Sequence, residues 1–370
     1  MGVRIMSVIG ARPQFVKVAV VARAARLPEF STAVEHRIVH TGQHYDAAMS
    51  GVFFDQLDIP PPDYNLEVGS GPHGAQTGEM MKRLEETLLR DRPDWLVVYG
   101  DTNSTLAGAV VAAKLHIPIA HVEAGLRSFN RRMPEEINRI IADHVSTLLL
   151  CPTGRAIENL RAEGLADRAA LTGDVMFDAV LAARARPRGA GTPGAYPWEP
   201  GKGREAQSYV LATVHRAENT DDEPRLRAIL QALERIAAEV CPVVFPAHPR
   251  TQKAIEAIGW TPQRVEIAGP VSYFEMLDLE QGARMILTDS GGVQKEAHFL
   301  RVPCLTLRDE TEWTETLENG CNSLAGADCE KICAAARRAP EAGPWANVYG
   351  DGHAGEATLR ELLKIGPGKA

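Results

Sequence analysis

The feature that most constrains the fold of this chain is the alternation of short, apolar, β-branched runs with longer amphipathic stretches. The first half contains such runs at residues 3–9, 37–41, 95–99, 118–122, 147–151 and 170–172. The second half contains them at residues 209–213, 243–246, 265–268, 285–288 and 303–307. Strands that alternate with helices in this way are typical of βαβ units and a parallel sheet. The sequence therefore predicts an α/β fold.

The length of the chain and one break in the pattern predict two domains. A chain of 370 residues is longer than one hydrophobic core usually organises. Residues 187–203 hold four prolines and five glycines, a composition typical of a linker or an irregular loop. We predict two Rossmann-like, doubly wound domains facing a cleft, at residues 1–178 and 179–354, with a C-terminal helix at 355–366 that packs back on the first. Ligands of such sheets bind at the carboxyl ends of the strands.

Composition and charge exclude several classes of protein. Hydrophobic residues at 45% and charged residues at 24% are typical of a globular protein. A net charge of −8 disfavours nonspecific binding to nucleic acid or to an anionic membrane. The chain has no apolar run of the roughly 20 residues that a membrane-spanning helix needs, and it starts with a strand-like run in place of a leader, so we predict a cytoplasmic protein. The six cysteines contain no CxxC pair, which predicts neither a zinc site nor a disulfide framework.

The turn after the first predicted strand is basic. Gly10 to Lys17 do not form a GxGxxG loop, which disfavours a nicotinamide cofactor. Arg12 and Lys17 flank a proline at a predicted helix start, where free amides and the helix dipole favour an anion. Surface charges in contact with solvent explain the pattern equally well.

Carboxylates follow two neighbouring strands of the first domain. Asp101 comes after the run 95–99 and Glu123 after the run 118–122, so both are expected at one edge of the sheet, as acid and base chemistry on one substrate requires. Asp101 as a simple helix cap is an open alternative. Glu135 follows Pro134 at a predicted helix start, where a carboxylate also complements the helix dipole.

The second domain offers imidazoles and a glycine turn. His215 and His248 follow predicted strands, where an imidazole carries protons, binds phosphate or has only a structural role. Ser290, Gly291 and Gly292 join a strand to a helix, an arrangement that binds phosphate without a metal or forms an ordinary βα turn. Glu296 in that helix is a candidate acceptor for ribose hydroxyls.

Taken together and in this order, the segments GARPQFVK, HTGQHYD, GDTNST, HVEAGLRS, MPEEINR, TGD, HRAEN and TDSGGVQKEA resemble the non-hydrolysing UDP-N-acetylglucosamine 2-epimerases. The resemblance implies the two-domain glycosyltransferase-B architecture, with UDP on the C-terminal domain and the sugar in the cleft. It implies catalytic roles for Asp101, Glu123, Glu135 and His215. It implies substrate contacts by Arg12, Lys17, His248, Phe274, Ser290, Gly291, Gly292 and Glu296, with Phe274 near the uracil.

The resemblance also implies the reaction. Family members interconvert UDP-N-acetylglucosamine and UDP-N-acetylmannosamine by anti elimination of UDP and syn re-addition through 2-acetamidoglucal, without a nicotinamide cofactor or a metal, and are commonly homodimers. The segment Leu307 to Trp313 occurs in subgroups that include epimerases of diacetamido uronic acid nucleotides, which keeps that substrate as an alternative. A glycosyltransferase, a hydrolysing 2-epimerase and a sugar-nucleotide sensor are further alternatives.

Overall fold

The computed structural model describes residues 2–43, 54–186, 207–338 and 345–366 of the chain. The protein forms two compact units, the first from Met1–Ala185 with Asn347–Ala370 and the second from Arg186–Ala346. The predicted linker at residues 187–203 lies outside the described residues. Among those residues, no helix combines the length and the apolar character needed to cross a membrane.

The first unit contains a seven-stranded sheet in which all paired strands are parallel. Its strands are β1 (Val3–Ile9), β2 (Val34–His40), β3 (Tyr64–Asn65), β4 (Trp95–Tyr99), β5 (Ile119–Val122), β6 (Leu148–Cys151) and β7 (Ala169–Leu171). Its helices are α1 (Arg12–Ala25), α2 (His73–Arg90), α3 (Asn103–Lys114), α4 (Pro134–Val145), α5 (Gly154–Ala162), α6 (Val175–Arg184) and the C-terminal α13 (Ala354–Ile365). Every residue of β4 is buried, as expected for a central parallel strand covered on both faces.

The second unit contains a six-stranded parallel sheet. Its strands are β8 (Val210–Thr213), β9 (Val243–Pro246), β10 (Glu266–Ala268), β11 (Met285–Thr288), β12 (Cys304–Thr306) and β13 (Asn322–Leu324). Its helices are α7 (Ala217–Thr220), α8 (Glu223–Glu239), α9 (Pro249–Ala257), α10 (Tyr273–Gly282), α11 (Gly291–Leu300) and α12 (Cys329–Arg337). One apolar cluster, which includes Val243, Phe245 and Leu287, packs β8, β9 and β11 against α8 and α12.

The strand order determines where each sheet can bind a ligand. The order is β3-β2-β1-β4-β5-β6-β7 in the first unit and β10-β9-β8-β11-β12-β13 in the second. In both, the order reverses between the first strand and its neighbour, β4 or β11, and a crevice opens at the carboxyl ends of that pair. The prediction of an α/β protein with two Rossmann-like, doubly wound domains is confirmed.

The C-terminal helix α13 packs on the first unit against α1 and α6. The Gly355 amide donates to Asp178 Oδ2 at 3.0 Å, which ties the start of α13 to α6. A Cβ on Gly355 would lie 2.7 Å from Val20 Cγ1 of α1, so glycine allows the close approach of these helices. The chain therefore returns to its first unit after it completes the second.

Two short strands escape prediction from the sequence. Both β3 and β13 lie at sheet edges, have two or three residues and contain polar side chains, so neither produces an apolar run. The strand β2 starts at Val34, earlier than the predicted residue 37, because its polar residues Glu35 to Arg37 still pair with β1. The central strands β1, β4, β9 and β11 have the predicted bounds.

Candidate active and nucleotide-binding sites

In the first unit, the turn between β1 and α1 is organised by a buried glutamine. Gln14 Oε1 accepts hydrogen bonds from the amides of Gly10 at 2.8 Å and Ala11 at 3.1 Å. Its amide group donates to the Tyr99 carbonyl at 3.0 Å. One side chain thus joins the ends of β1 and β4, the two strands between which the strand order reverses, and fixes the turn that presents Arg12 at the start of α1.

Glu123 directly follows β5 and is held in a strained, buried position. Its φ is 72°, a left-handed conformation that few residues other than glycine adopt. Lys17 Nζ lies 2.6 Å from Glu123 Oε1, and both side chains are buried. Strain of this kind, maintained by surrounding contacts, is often found at functional sites. Lys17, a predicted nucleotide contact, is therefore a direct partner of a candidate catalytic carboxylate.

Asp101 follows β4 and forms an ion pair with a buried arginine. Arg139 of α4 donates to Asp101 Oδ2 from Nε at 3.0 Å and from Nη2 at 2.7 Å, and it donates to Glu136 Oε2 at 2.7 Å. The helix cap of α3 is Thr102, whose hydroxyl accepts from the Thr105 amide, so Asp101 is not the cap. The Asp101 side chain is 29% exposed and can therefore meet a ligand while its guanidinium partner stays buried.

Gly100 connects β4 to Asp101 and leaves space for the Lys17 ammonium. Its φ is 62°, and a Cβ at this position would lie 2.8 Å from Lys17 Nζ. The Gly100 carbonyl accepts from His121 Nε2 at 2.7 Å, while His121 Nδ1 contacts Asp143 Oδ1 at 2.7 Å. Because a carbonyl oxygen only accepts, Nε2 must carry a hydrogen. A fully buried His–Asp pair therefore supports the turn that carries Asp101.

The Asp143 carboxylate also anchors a buried arginine. Arg127 Nη1 donates to Asp143 Oδ2 at 2.7 Å. Burial alone raises the pKa of Asp143, but the charges and hydrogen bonds of His121 and Arg127 outweigh this effect and hold its pKa below the ordinary value. This ionised, fully paired cluster stabilises the loop that follows Glu123.

Glu135 and Glu136 begin α4 and have different environments. Glu136 is buried and accepts hydrogen bonds from the amides of Ser128 at 3.0 Å and Phe129 at 2.9 Å. Glu135 is partly exposed in the same helical turn. The sequence assigned a candidate role to Glu135, and the structure gives its neighbour the organising contacts.

In the second unit, His215 and Asp289 form a His–Asp pair like that of His121 and Asp143 in the first unit. His215 Nδ1 lies 3.2 Å from Asp289 Oδ1, with the imidazole 41% exposed and the carboxylate fully buried. Asp289 also accepts from the amides of His215 and Arg216 and from the Asn219 side chain. Burial raises the pKa of Asp289, but the His215 interaction and these donors together lower it below its ordinary value. This contact orients an accessible imidazole at the carboxyl end of β8.

The glycine turn after β11 starts a helix, as predicted. Ser290 is the N-cap of α11, and its hydroxyl accepts from the Val293 amide at 3.4 Å. A Cβ on Gly291 would lie 2.5 Å from Glu312 Oε1 and 3.1 Å from Trp313 Nε1, whereas the nearest atom to a Cβ on Gly292 is 3.7 Å away. The first amides of a helix have no acceptor within it and favour an anion.

A buried charged layer lies behind this turn. Arg308 Nη1 donates to Glu312 Oε2 at 2.9 Å, and both side chains are almost fully buried. Lys295 Nζ lies 4.0 Å from the centre of the Trp313 ring, a cation–π contact. The segment 307–313, noted in the sequence as a subgroup feature, therefore packs directly against α11.

The remaining candidates lie on helices of the second unit. His248 is the N-cap of α9, where its Nδ1 accepts from the Arg250 amide at 3.2 Å, and its ring lies 6.3 Å from the His215 ring. Phe274 lies in the first turn of α10 under the Arg186 guanidinium, 4.3 Å away. Glu296 is buried in α11.

Sequence reasoning missed the residues that hold the candidate groups in place. Buried Arg139 pairs with Asp101 and buried Asp289 with His215. Buried His121 and Asp143 support the turn that carries Asp101. For His121 the available signal was a polar residue inside an apolar strand, since burial of a polar group requires a partner. Within the described residues, no cluster of three or more His, Cys, Asp or Glu has an arrangement suited to a metal ion, and all six cysteines are free thiols.

Comparison with known proteins identifies relatives of the chain. A sequence profile described as UDP-N-acetylglucosamine 2-epimerase matches residues 29–363. The chain is 49% identical to a UDP-2,3-diacetamido-2,3-dideoxy-D-glucuronate 2-epimerase of Pseudomonas aeruginosa, over 98% of this chain and 100% of that protein. It is 42% identical to a UDP-N-acetylglucosamine 2-epimerase of Methanocaldococcus jannaschii, over 96% and 97% of the two chains.

A solved structure extends the likeness to the fold. The crystal structure of the M. jannaschii UDP-GlcNAc 2-epimerase in complex with UDP-GlcNAc and UDP matches with a TM-score of 0.87 and 41% identity, over 98% of this chain and 100% of that one. With the two parallel sheets, this match confirms the predicted glycosyltransferase-B fold class.

Proposed function

Since the chain belongs to the UDP-N-acetylglucosamine 2-epimerase family and is an isomerase of UDP-sugars, we propose that it inverts C2 of a UDP-2-acetamido sugar by reversible elimination and re-addition of UDP. The observation that carries the proposal is the pair Asp101 and Glu123. They follow adjacent strands, β4 and β5, and each has a buried cationic partner.

The chemistry accounts for the groups present. A hydrogen at C2 has no adjacent carbonyl, so its removal becomes feasible only as the C1–oxygen bond to UDP breaks. A carboxylate takes the C2 proton, the C–H electron pair forms the C1–C2 double bond, and the C1–oxygen pair leaves with UDP. UDP then adds back to C1 while a second group delivers a proton to the opposite face of C2. Two proton-transfer groups and a site for the expelled diphosphate are therefore required.

We assign the proton transfers to Asp101 and Glu123, with Glu135 in support. Lys17 and Arg139 keep charge balance in a buried setting, so that each carboxylate is oriented before substrate arrives. We assign the departing phosphate to His215 and to the amides of the Ser290 turn, where positive charge and helix geometry favour an anion. Arg12, His248 and Phe274 are proposed substrate contacts, and Glu296 is the proposed ribose acceptor.

Two substrates fit this proposal. UDP-N-acetylglucosamine is supported by the family match and by the M. jannaschii relative. The diacetamido glucuronate nucleotide is supported by the 49% identical P. aeruginosa relative and by the segment 307–313 packed behind the phosphate turn. The reaction would be the same for both, because the acidic hydrogen and the leaving group are shared.

Proton NMR of the purified protein in deuterated water tests the proposal. Each UDP-sugar is incubated without metal, nicotinamide or acceptor. We expect the C2 epimer to accumulate as a nucleotide sugar with deuterium at C2, and the faster substrate identifies the specificity. Release of free N-acetylmannosamine would instead indicate a hydrolysing enzyme. UDP binding without change in either sugar would contradict the proposal and favour a transferase or a sensor.

A further inference from the structure

A glutamate outside all the groups discussed so far is buried without a conventional partner. Glu280 of α10 is 0% exposed. Within the described ranges, neither of its carboxyl oxygens accepts a hydrogen bond from an N–H or hydroxyl group. A carboxyl group buried in this way requires an explanation, because its desolvation is costly unless it is paired or protonated.

Glu280 faces a second buried carboxyl group, that of Glu296. The helices α10 and α11 pack together, and they bring the Glu296 carboxyl group beside that of Glu280. Ionised carboxylates are acceptors only, so two of them cannot hydrogen bond to each other. One of the pair must keep its proton.

The surroundings identify Glu280 as the protonated member. Burial, and then the charge of Glu296, raise the pKa of Glu280 well above its ordinary value. Nearby lie the Cys304 thiol, whose pKa burial also raises, and the Tyr209 hydroxyl, which donates to the Leu279 carbonyl at 2.6 Å. The adjacent cluster of Leu279, Ala283 and Val293 is apolar, and such an environment favours a neutral acid.

We propose that Glu280 is a positioning residue, a neutral carboxylic acid that donates a hydrogen bond to Glu296 and fixes the carboxylate that accepts the ribose hydroxyls of UDP. The inference rests on the role proposed above for Glu296. One oxygen of Glu296 is then occupied from within the protein, and the carboxylate is held in one orientation. The pair carries a single negative charge, so the nucleotide, itself an anion, meets less repulsion than two carboxylates would create.

Calorimetric titration with UDP and with 2′,3′-dideoxy-UDP tests this role in the full chain. Glu280→Gln keeps an N–H donor toward Glu296, whereas Glu280→Met has a similar volume and no donor. We expect Glu280→Met to weaken UDP binding about tenfold, the effect of one lost hydrogen bond, and to leave dideoxy-UDP binding unchanged. We expect Glu280→Gln to bind UDP as the unmodified chain does. A general packing role would weaken both nucleotides alike.

Several results would overturn the inference. One is a loss of affinity in Glu280→Met that is equal for the two nucleotides. Another is a Glu280→Gln variant that binds UDP as weakly as Glu280→Met does. A third is an unmodified chain that binds UDP and dideoxy-UDP with equal affinity. Infrared spectroscopy gives a measurement independent of whether Glu280→Met folds. The unmodified chain should show the carbonyl band of a protonated carboxyl at neutral pH, Glu280→Gln should lack it, and identical spectra would contradict the proposal. Absence of epimerisation with retained ribose-dependent UDP binding would reject the proposed reaction alone.

Discussion

The two sheets have the same strand order around their switch points and carry different chemistry there. At the carboxyl ends of β4 and β5, beside the β1/β4 switch point, the first unit places carboxylates, each matched to a buried cation, in the pairs Asp101–Arg139 and Glu123–Lys17. At the β8/β11 switch point, the second unit places an imidazole, a helix N-terminus and the buried carboxylate Asp289. The scaffold is therefore shared by the two units, and the side chains at the strand ends distinguish the proposed proton-transfer site from the proposed anion site.

The two His–Asp pairs differ in the exposure of the imidazole. His121 and Asp143 are both fully buried, and both imidazole nitrogens have partners within the protein. His215 is 41% exposed, although its partner Asp289 is as buried as Asp143. The same pair of residue types therefore stabilises a turn in one unit and presents an imidazole to solvent in the other. Burial, and not residue type, separates the two roles.

The largest expected effect separates the two units by function. Asp101→Asn and Glu123→Gln each remove a proposed proton-transfer group without a change of shape, so turnover should fall at least about 10³-fold. UDP affinity should stay within about twofold, because the Ser290 turn proposed to bind the phosphate lies in the other unit. NMR turnover assays and calorimetry measure the two quantities. Full activity in both variants, or an equal loss of UDP affinity, would contradict the division of roles.

Asparagine in place of each histidine tests the contrast between the pairs. His121→Asn breaks the buried contacts with Asp143 and Gly100, and the free energy of unfolding should fall by about 3–5 kcal/mol. His215→Asn alters an exposed ring, so stability should change by less than about 1 kcal/mol while turnover falls about 10²-fold or more. Chemical denaturation and the turnover assay check both. Similar stability losses in the two variants would show that exposure does not separate the roles.

The adjacent glycines of the Ser290 turn, Gly291 and Gly292, provide a matched pair of substitutions. Gly291→Ala places a methyl group 2.5 Å from Glu312 Oε1, an atom that cannot move without disturbing the buried Arg308–Glu312 pair. Its free energy of unfolding should fall by about 1–3 kcal/mol. Gly292→Ala meets only ordinary contacts and should be neutral or stabilising by up to about 1 kcal/mol. Thermal unfolding of both variants measures the difference in stability. Equal shifts in Tm would mean that the Arg308–Glu312 pair moves to accommodate the added methyl group.

The smallest effect is a pH dependence of stability. The pKa of Asp289 is lower in the folded chain than its ordinary value, with burial opposed by His215 and the surrounding donors. Its ionised form therefore contributes stability above the unfolded pKa of about 3.9, and that contribution is lost as the pH falls through the folded pKa. The stability difference between the unmodified chain and Asp289→Asn should narrow by about 1 kcal/mol below about pH 4. Urea titrations from pH 7 downward test this, and a constant difference would mean that Asp289 acts only through packing.

Individual residues show which parts of the fold and the candidate sites the sequence could predict. The apolar runs at 95–99 and 285–288 identify β4 and β11 because a buried parallel strand needs an unbroken apolar segment. Together with the runs at 118–122 and 209–213, they place Asp101, Glu123, His215 and Ser290 after strand ends, and order along the chain was enough to nominate them. Arg139 gives no such signal, since it lies 38 residues from Asp101 in the chain and inside an amphipathic helix where an exposed arginine is the usual expectation.

The sequence by itself determined the α/β class, the central strands and the residues at the strand ends. The reason is that a buried parallel strand requires a local run of apolar residues, and the turn follows that run directly in the chain. Only the tertiary structure decided which partner each charge receives. It pairs Lys17 with Glu123 and Arg139 with Asp101, and it brings the Glu280 carboxyl group beside that of Glu296. The physical reason is that these pairs join residues far apart in the chain. The protonation and orientation of a buried group depend on the dielectric and the donors around it, which exist only once the chain has folded.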